Sequence, residues 1–410
     1  MSAREVPPCE PMLLGAVRAD HVDAERCARI AWAIVTEPGD GVAGALVAEL
    51  GAVAALEAIT AREPAPALMN HREVGEGLRR WRPRATRRAL NEALELTDRA
   101  GLRVIIPGDV AWPDGLDDLE NHAPFCLWRR GASADSALGA DGRGLECSRS
   151  VAIVGARAAT AYGEYVAADL AAGAGRRGLT VVSGAAYGID GAAHRASLGT
   201  GAPTVAFLAG GADRSYPAGH AAMIERIAAS GAVYSEVPPG SAPTKWRFLA
   251  RNRLIAASSA ATVVVEAGSR SGSLNTAAHA ATLGRALGAV PGPVTSAASL
   301  GCHRLLREGA AICITSPDDV AELVGGESSD AGPVRKSSGA TASSPGLAER
   351  TDDASRVHDA LSTRAARSVE EIARRAGMTR ASVEQRLGLL ELEGEATRDD
   401  AGWRAVPTRR

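Results

Sequence analysis

The sequence predicts an α/β protein: a parallel-sheet domain with a small N-terminal helical module and a C-terminal winged-helix module. Three observations predict it. Between Ser150 and Val324 short apolar strands alternate with helical stretches; from Asp23 to Ala100 the pattern is helical alone; beyond Arg350 three short helical patterns precede a hairpin. A chain of 410 residues is too long for one ordinary domain and suits two or three. The expected boundaries are 1–100 for the helical module, 101–325 for the sheet domain, 326–350 for a flexible linker and 351–410 for the winged helix.

From Asp23 to Ala100 the Ala, Leu, Val and Ile faces are broken at Pro38-Gly39-Asp40 and at Pro64 to Pro66, as proline and glycine break helices. Leu102 to Pro107 reads as a strand, and Pro83, Pro113 and Pro124 keep long helices out of its neighbourhood. The Gly/Asp/Ser-rich stretch from Gly131 to Gly144 reads as a surface loop. Strands are then expected at Val151–Val154, Thr180–Ser183, Thr204–Leu208, Thr262–Glu266, Ala286–Val290 and Ile312–Thr315. Their alternation with helices implies a parallel sheet covered on both faces. Gly325 to Arg350 has hardly a large apolar residue, as a linker would. Helices over Arg356–Leu361, Val369–Ala376 and Thr379–Leu392, then Ala396–Val406 with Gly402 at a hairpin tip, give the winged-helix order.

Composition narrows the function. With 46% hydrophobic and 23% charged residues the chain is globular, and its few aromatics leave Ala, Gly and Val to fill the core. A net charge of −2 means that nucleic-acid binding would need a local basic groove. Cys9, Cys27, Cys126, Cys147, Cys302 and Cys313 include no C-x-x-C pair, which argues against zinc and against a disulfide framework and favours a reducing compartment. Arg4 and Glu5 are followed by no apolar signal core. No stretch reaches the roughly 18 unbroken apolar residues of a membrane helix, and even Val42 to Ala58 is interrupted by Glu49 and Glu57. A cytoplasmic location away from membranes is expected.

Three strands end in glycine-rich sequence that opens a helix: Gly155-Ala-Arg157, Ser183-Gly184 to Gly188-Ile-Asp190, and Gly210-Gly211. At the carboxyl edge of a parallel sheet, small residues let backbone N–H groups approach an anion, and helix N-termini favour negative charge. The bland alternative is a tight turn without a ligand. None is G-x-G-x-x-G and no acidic residue follows at the next strand end, so a nicotinamide cofactor is disfavoured and no cofactor is expected. Arg157 could fork onto a phosphate or form a surface ion pair. His194, four residues after Asp190, fits a packed or Asp-paired histidine better than a catalytic one.

The segment Lys245-Trp-Arg247-Phe-Leu-Ala-Arg251-Asn252-Arg253 combines cations with an aromatic ring, the mixture that tracks a single strand and stacks on a base. On a helix Arg247 and Arg251 share a face while Arg253 points away by roughly 200°, so one of Arg251 and Arg253 is expected to be structural. Ser271, Gly272 and Ser273 suit either a helix cap or a phosphate cradle. Glu266 ends a buried strand and could be a catalytic carboxylate, but it has no obvious partner and is expected rather to anchor an arginine such as Arg253.

In series these segments resemble the DNA-processing protein A family (DprA/Smf). The order is Val154-Gly-Ala-Arg157, Tyr162-Gly163, Ser183-Gly184 with Gly188-Ile-Asp190 and His194, and Gly210-Gly211 with Tyr216-Pro217. Ser235-Glu236, Arg251-Asn-Arg253, Glu266, Ser271-Gly-Ser-Leu274, Pro291-Gly292 and Gly309-Ala310 follow. The resemblance covers roughly Leu102 to Val324. It implies an extended Rossmann-like fold without enzymatic activity that binds single-stranded DNA, forms homodimers and loads RecA recombinase during natural transformation and competence. Its strand-binding pocket would fall on Gly155, Arg157, Ser183, Gly184, Arg251, Asn252, Ser271, Gly272 and Ser273, and the front module would be sterile-alpha-motif-like. Ala156, Leu249, Asn275 and Ala218 depart from the usual residues, the last leaving a phosphate contact to Arg214.

The competing class is a lysine-decarboxylase-like (LOG) nucleoside monophosphate phosphoribohydrolase. Those enzymes carry a glutamate in a Pro-Gly-Gly-x-Gly-Thr-x-x-Glu segment, where this chain reads Gly268 to Thr276 without one. In the winged helix, Thr379, Arg380, Ser382, Gln385 and Arg386 suit a major groove, but Glu384, Glu391, Glu393, Asp399 and Asp400 oppose it. A protein-docking or dimer-supporting role is favoured for that module.

Overall fold

The computed structural model describes residues 21–61, 72–131, 144–325, 345–399 and 401–406. The predicted loop core at 132–143, the break at Pro64 to Pro66 and most of the predicted linker lie outside the described residues. Two compact units emerge, one from Met1–Leu90, Thr244–Trp246 and Ser328–Arg410, the other from Asn91–Pro243 and Arg247–Glu327.

In the second unit the strands are β1 (Arg103–Ile105), β2 (Leu127–Arg130), β3 (Ser150–Val154), β4 (Thr180–Ser183), β5 (Thr204–Leu208), β6 (Ala232–Ser235), β7 (Ala261–Val264), β8 (Ala286–Ala289) and β9 (Ile312–Cys313). They form one sheet in the order β1-β2-β6-β5-β4-β3-β7-β8-β9. Every pairing from β6 through β9 is parallel, and β2 adds antiparallel to β6 and β1 to β2. The sheet is therefore mostly parallel, with an antiparallel edge. Neither β2 nor β6 was among the predicted strands. The four residues Leu127-Trp-Arg-Arg130 end in two arginines, and Ala232-Val-Tyr-Ser235 is too short to show a period. Their strand state comes from pairing: Trp128 faces Ser235, and its indole donates to Thr97 at 3.0 Å.

Alternation along the strands divides the core in two, because successive side chains leave opposite faces of a sheet. Ala152, Val154, Val182, Phe207 and Val264 pack on one face with Leu254, Ile255, Ala277 and Leu305. Val151, Ile153, Val181 and Val263 pack on the other with Leu170, Ala174, Ile189 and Ala193. Helices over Ala161–Arg176 and Ile189–Gly199 supply the second face, and helices over Lys245–Ala257, Ser273–Thr282 and Leu300–Arg307 the first.

The other unit contains two hydrophobic modules. In the N-terminal one, Trp32 and Trp81 meet edge to face at 5.5 Å, and the Trp81 indole donates to Asp40. Asp40 also caps the helix Gly41–Leu50 by accepting from the Ala43 amide. That helix and Ala52–Thr60 are apolar but bend by 113° and turn Leu46, Leu56 and Ile59 inward. Among the described residues no single helix is long and apolar enough to cross a membrane. The winged helix is built from Pro345–Ala360, Val369–Ala376, Arg380–Leu392 and the hairpin β10 (Ala396–Asp399) to β11 (Gly402–Ala405). Val357, Leu361, Ile372, Val383, Leu387, Leu390 and Trp403 fill its core. Ser368 and Thr379 cap the second and third helices, and Gly377 ends the second in the left-handed conformation, as the local sequence chemistry requires.

His194 is fully buried, with Nδ1 2.8 Å from the Thr204 hydroxyl. That hydroxyl donates its hydrogen to the Val181 carbonyl, so the imidazole must be the donor to it. The histidine is thus packed, and Thr204 is its recorded partner. Burial pushes its pKa from 6.5 down to about 3. The folded protein keeps it neutral while the unfolded chain takes a proton below about 6.5, so stability present above that pH drains away as pH falls. Melting temperature measured from pH 7.5 to 5 should decline less in His194→Gln than in the unaltered protein; parallel slopes would exclude this origin.

Candidate functional site

The strand order leaves β3 in both directions, through β4 on one side and β7 on the other. The carboxyl ends of those strands flank the switch point at which open α/β sheets place ligands. The predicted glycine loops all emerge at this rim, but their amides are largely committed within the protein. The Gly184 N–H donates to Asp190 Oδ2 at 3.1 Å and the Ala186 N–H to the same oxygen at 3.4 Å. The Ala156 N–H donates to the Glu266 carbonyl and the Gly211 N–H to the Ser241 carbonyl. Ser183 donates its hydroxyl to the Ile153 carbonyl. Close approach explains two glycines. A Cβ on Gly184 would collide with the Arg251 guanidinium, and Gly188, at φ +73°, would collide with the Ala156 carbonyl. Gly155 likewise backs onto Ile189, and Gly210 onto Pro243.

The helix Lys245–Ala257 is buried on every side from Ala250 onward, which changes the expected roles of its arginines. Arg253 pairs with Glu236 through two nitrogens at 2.6 and 2.5 Å and donates to the His122 and Ala250 carbonyls. It is the structural arginine. Arg251 is buried too, donating to the Gly184 carbonyl at 2.9 Å and the Phe207 carbonyl at 2.5 Å. Burial pushes its pKa down to about 10, opposed by the neighbouring Asp190, so it stays charged at neutral pH. Burial raises the Asp190 pKa, and Arg251 is the first of the groups that counter it.

Glu266 is not the partner of Arg253. Its carboxylate accepts from the Thr160 hydroxyl at 2.6 Å and the Thr160 amide at 2.9 Å, at the start of the helix Ala161–Arg176. A negative charge is favourable at a helix N-terminus, and Gly163 leaves the room it needs. Sequence spacing could not show that β7 delivers this carboxylate beside β3.

The exposed groups at the rim are cationic and aromatic. Arg157 is exposed, its guanidinium 4.3 Å from the Phe248 ring centre. Tyr216, 48% exposed, lies 5.7 Å from the same ring, and Arg251 approaches it at 5.9 Å. Arg247, half-buried, donates to the Ala242 carbonyl. Asn252 donates to the Gly272 carbonyl and to Asn275 Oδ1, each at 3.2 Å. The unusual Asn275 therefore completes a polar link that an aliphatic could not. This link brings Ser271, Gly272 and Ser273 to the helix that carries Arg251. Ser271 and Ser273 bond hydroxyl to hydroxyl at 2.8 Å, with Gly272 exposed beside them. Sequence reasoning did not single out Tyr187, which is 49% exposed. Its one signal was a ring inside an otherwise small-residue loop.

The ion pair gives a stability test. Removing one buried partner leaves an unpaired charge, at a cost of about 3–5 kcal/mol, whereas an apolar pair of similar volume is nearly neutral. Arg253→Met should show that loss in urea unfolding, and adding Glu236→Leu should recover most of it. A double variant as unstable as the single would refute the pairing argument.

A family model described as DNA recombination-mediator protein A matches residues 103–325, and one described as DprA winged helix domain matches 341–402. A putative DNA processing protein DprA of Mycobacterium tuberculosis is 45% identical over 389 residues, 92% of this chain and 94% of that protein. The DNA processing protein DprA of Streptococcus pneumoniae is 40% identical over 173 residues, 42% of this chain and 61% of that protein. The X-ray structure of DNA processing protein A from Streptococcus pneumoniae superposes with a TM-score of 0.52 at 29% identity, covering 71% of this chain and 95% of that one.

Proposed function

This chain belongs to the DNA recombination-mediator protein A (DprA/Smf) family, and from that premise we propose that it binds single-stranded DNA at the carboxyl rim of its sheet. The observation that carries this is the stack of the exposed Arg157 on the half-buried Phe248, beside the exposed Tyr216. Aromatic faces accept bases of any sequence while cations neutralise phosphates. Because the loop amides are spent on Asp190, Glu266 and Ser241, side chains do most of the holding. Arg157, Arg247 and the Ser271–Ser273 turn face the phosphates. Gly155, Ser183, Gly184, Gly188, Asp190, Gly210, Gly211, Arg251, Asn252 and Arg253 form the frame that presents them.

Binding without turnover is the mode that the site favours. Asp190, Glu236 and Glu266 are each held by internal donors, and His194 is buried, so none is free to act on a ligand. The strand so held is passed to RecA in a cytoplasmic recombination role, which covers natural transformation in a competent host. The protein acts as a homodimer. Among the described residues its sheet ends at β9, where Ile312 is 63% exposed, the kind of edge that a second copy covers.

Fluorescence anisotropy with labelled poly-dT and a matched duplex tests the reading. Single strands should bind better, affinity should fall steeply with salt, and Arg157→Ala should weaken binding about tenfold and lower the salt slope by about one. Equal affinity for duplex, or full affinity in Arg157→Ala, would overturn it. Release of free base from nucleoside monophosphates would favour the phosphoribohydrolase instead. Ile312→Asp should shift the light-scattering mass toward a monomer; an unchanged dimer would place the interface elsewhere.

A further inference from the structure

Resting on the single-strand reading above, we propose that Tyr187 is a second base-stacking platform, on a loop separate from the Arg157–Phe248–Tyr216 stack. The ring sits in a turn that is otherwise closed. Gly184, Ala185 and Ala186 before it and Ile189 and Asp190 after it are all buried, yet Tyr187 is 49% exposed. Single exposed apolar residues are ordinary on a protein surface. What distinguishes this one is the rigidity of its mounting.

Asp190 holds the amides of Gly184 and Ala186, and Arg251 holds the Gly184 carbonyl. Ala185 has a positive φ of 55°, a strained state for a residue with a Cβ, and one that persists only where surroundings enforce it. The enforcing contact is His220, whose Nδ1 lies 3.0 Å from the Ala185 carbonyl. A carbonyl has no proton, so the imidazole is the donor. The His220 ring also meets Tyr187 at 4.7 Å with planes 68° apart, an arrangement that aromatic pairs prefer. The Tyr187 hydroxyl also approaches the neighbouring Gly219 so closely that a Cβ there would lie 2.7 Å from it. The side chain is braced by the turn Ala218–His220 and still presents ring surface to solvent.

Its position fits a strand already held by the first stack. The next residue, Gly188, abuts the carbonyls of Ala156 and Arg157, and Ile189 donates to the Ala156 carbonyl. Gly219 lies in the short 3-10 helix Ala218–His220, in the same connection after β5 as Tyr216. Tyr187 therefore stands between the loop that carries Arg157 and the loop that carries Tyr216. The ring there offers a face to a base, and Tyr187→Phe, which keeps that face and removes the hydroxyl, separates stacking from a hydrogen bond to phosphate. His220 acts as a positioning residue.

The test uses the full-length protein, a labelled dT oligonucleotide and an equally long oligonucleotide with abasic sites. Tyr187→Ala should weaken dT binding about 5- to 100-fold with an unchanged melting temperature, and Tyr187→Phe should restore it. The abasic strand should bind the unaltered protein and Tyr187→Ala alike. Gly219→Ala, which displaces the ring without deleting it, should give a smaller loss for dT alone and covers the case of a poorly folded Tyr187→Ala. Full dT affinity in both variants, or equal losses for dT and abasic strands, overturns the inference while leaving the strand reading intact. Failure of the unaltered protein to bind dT removes both.

Discussion

A guanidinium out of reach of water organises the rim of the sheet. An isolated buried cation is costly, so Arg251 must find acceptors, and it finds them at the carboxyl ends of two adjacent strands, on Gly184 and Phe207. Asp190 supplies the compensating charge and uses its oxygens to gather the amides that follow β4. Gly184 leaves the space that the guanidinium fills, and a Cβ there would have to displace it from its carbonyl acceptors. Residues that read as separate phosphate-binding signals are one interlocked buried assembly.

That assembly shifts the binding chemistry outward. Backbone N–H groups already bonded to Asp190, Glu266 and Ser241 are poor anion ligands, since a phosphate would have to displace a bond in place. On the proposed reading, the exposed Arg157, Tyr216 and Tyr187 around the half-buried Phe248 are left to meet the ligand. Stacking tolerates any base, and cations meet any phosphate, which suits a strand of arbitrary sequence.

The buried ion pair of Arg253 and Glu236 does a related task at the other end of the helix turn. It fastens the helix Lys245–Ala257 to the loop after β6, and the Asn252–Asn275 link fastens it to the helix after β7. Three consecutive polar residues, Arg251, Asn252 and Arg253, thus tie one helix to the strand ends at Gly184 and Phe207, to a neighbouring helix and to the loop after β6. Arginine suits the first and third because its planar fork can satisfy several acceptors at once.

Much was legible in the sequence alone: the helical front module, seven of the strands, the winged-helix order, and the glycine-rich turns that end three of the strands. These follow from period, turn chemistry and helix signals, which are local and survive without knowledge of neighbours. The family resemblance was likewise carried by short motifs in series. Tertiary structure alone decided that β2 and β6 are strands, because four-residue segments acquire that state only by pairing. It also decided that Glu266 caps a helix while Glu236 takes Arg253, and that Arg251 and Arg253 are both interior. Charges choose partners by distance in space, and residues 106 and 131 positions apart meet only after the sheet has formed.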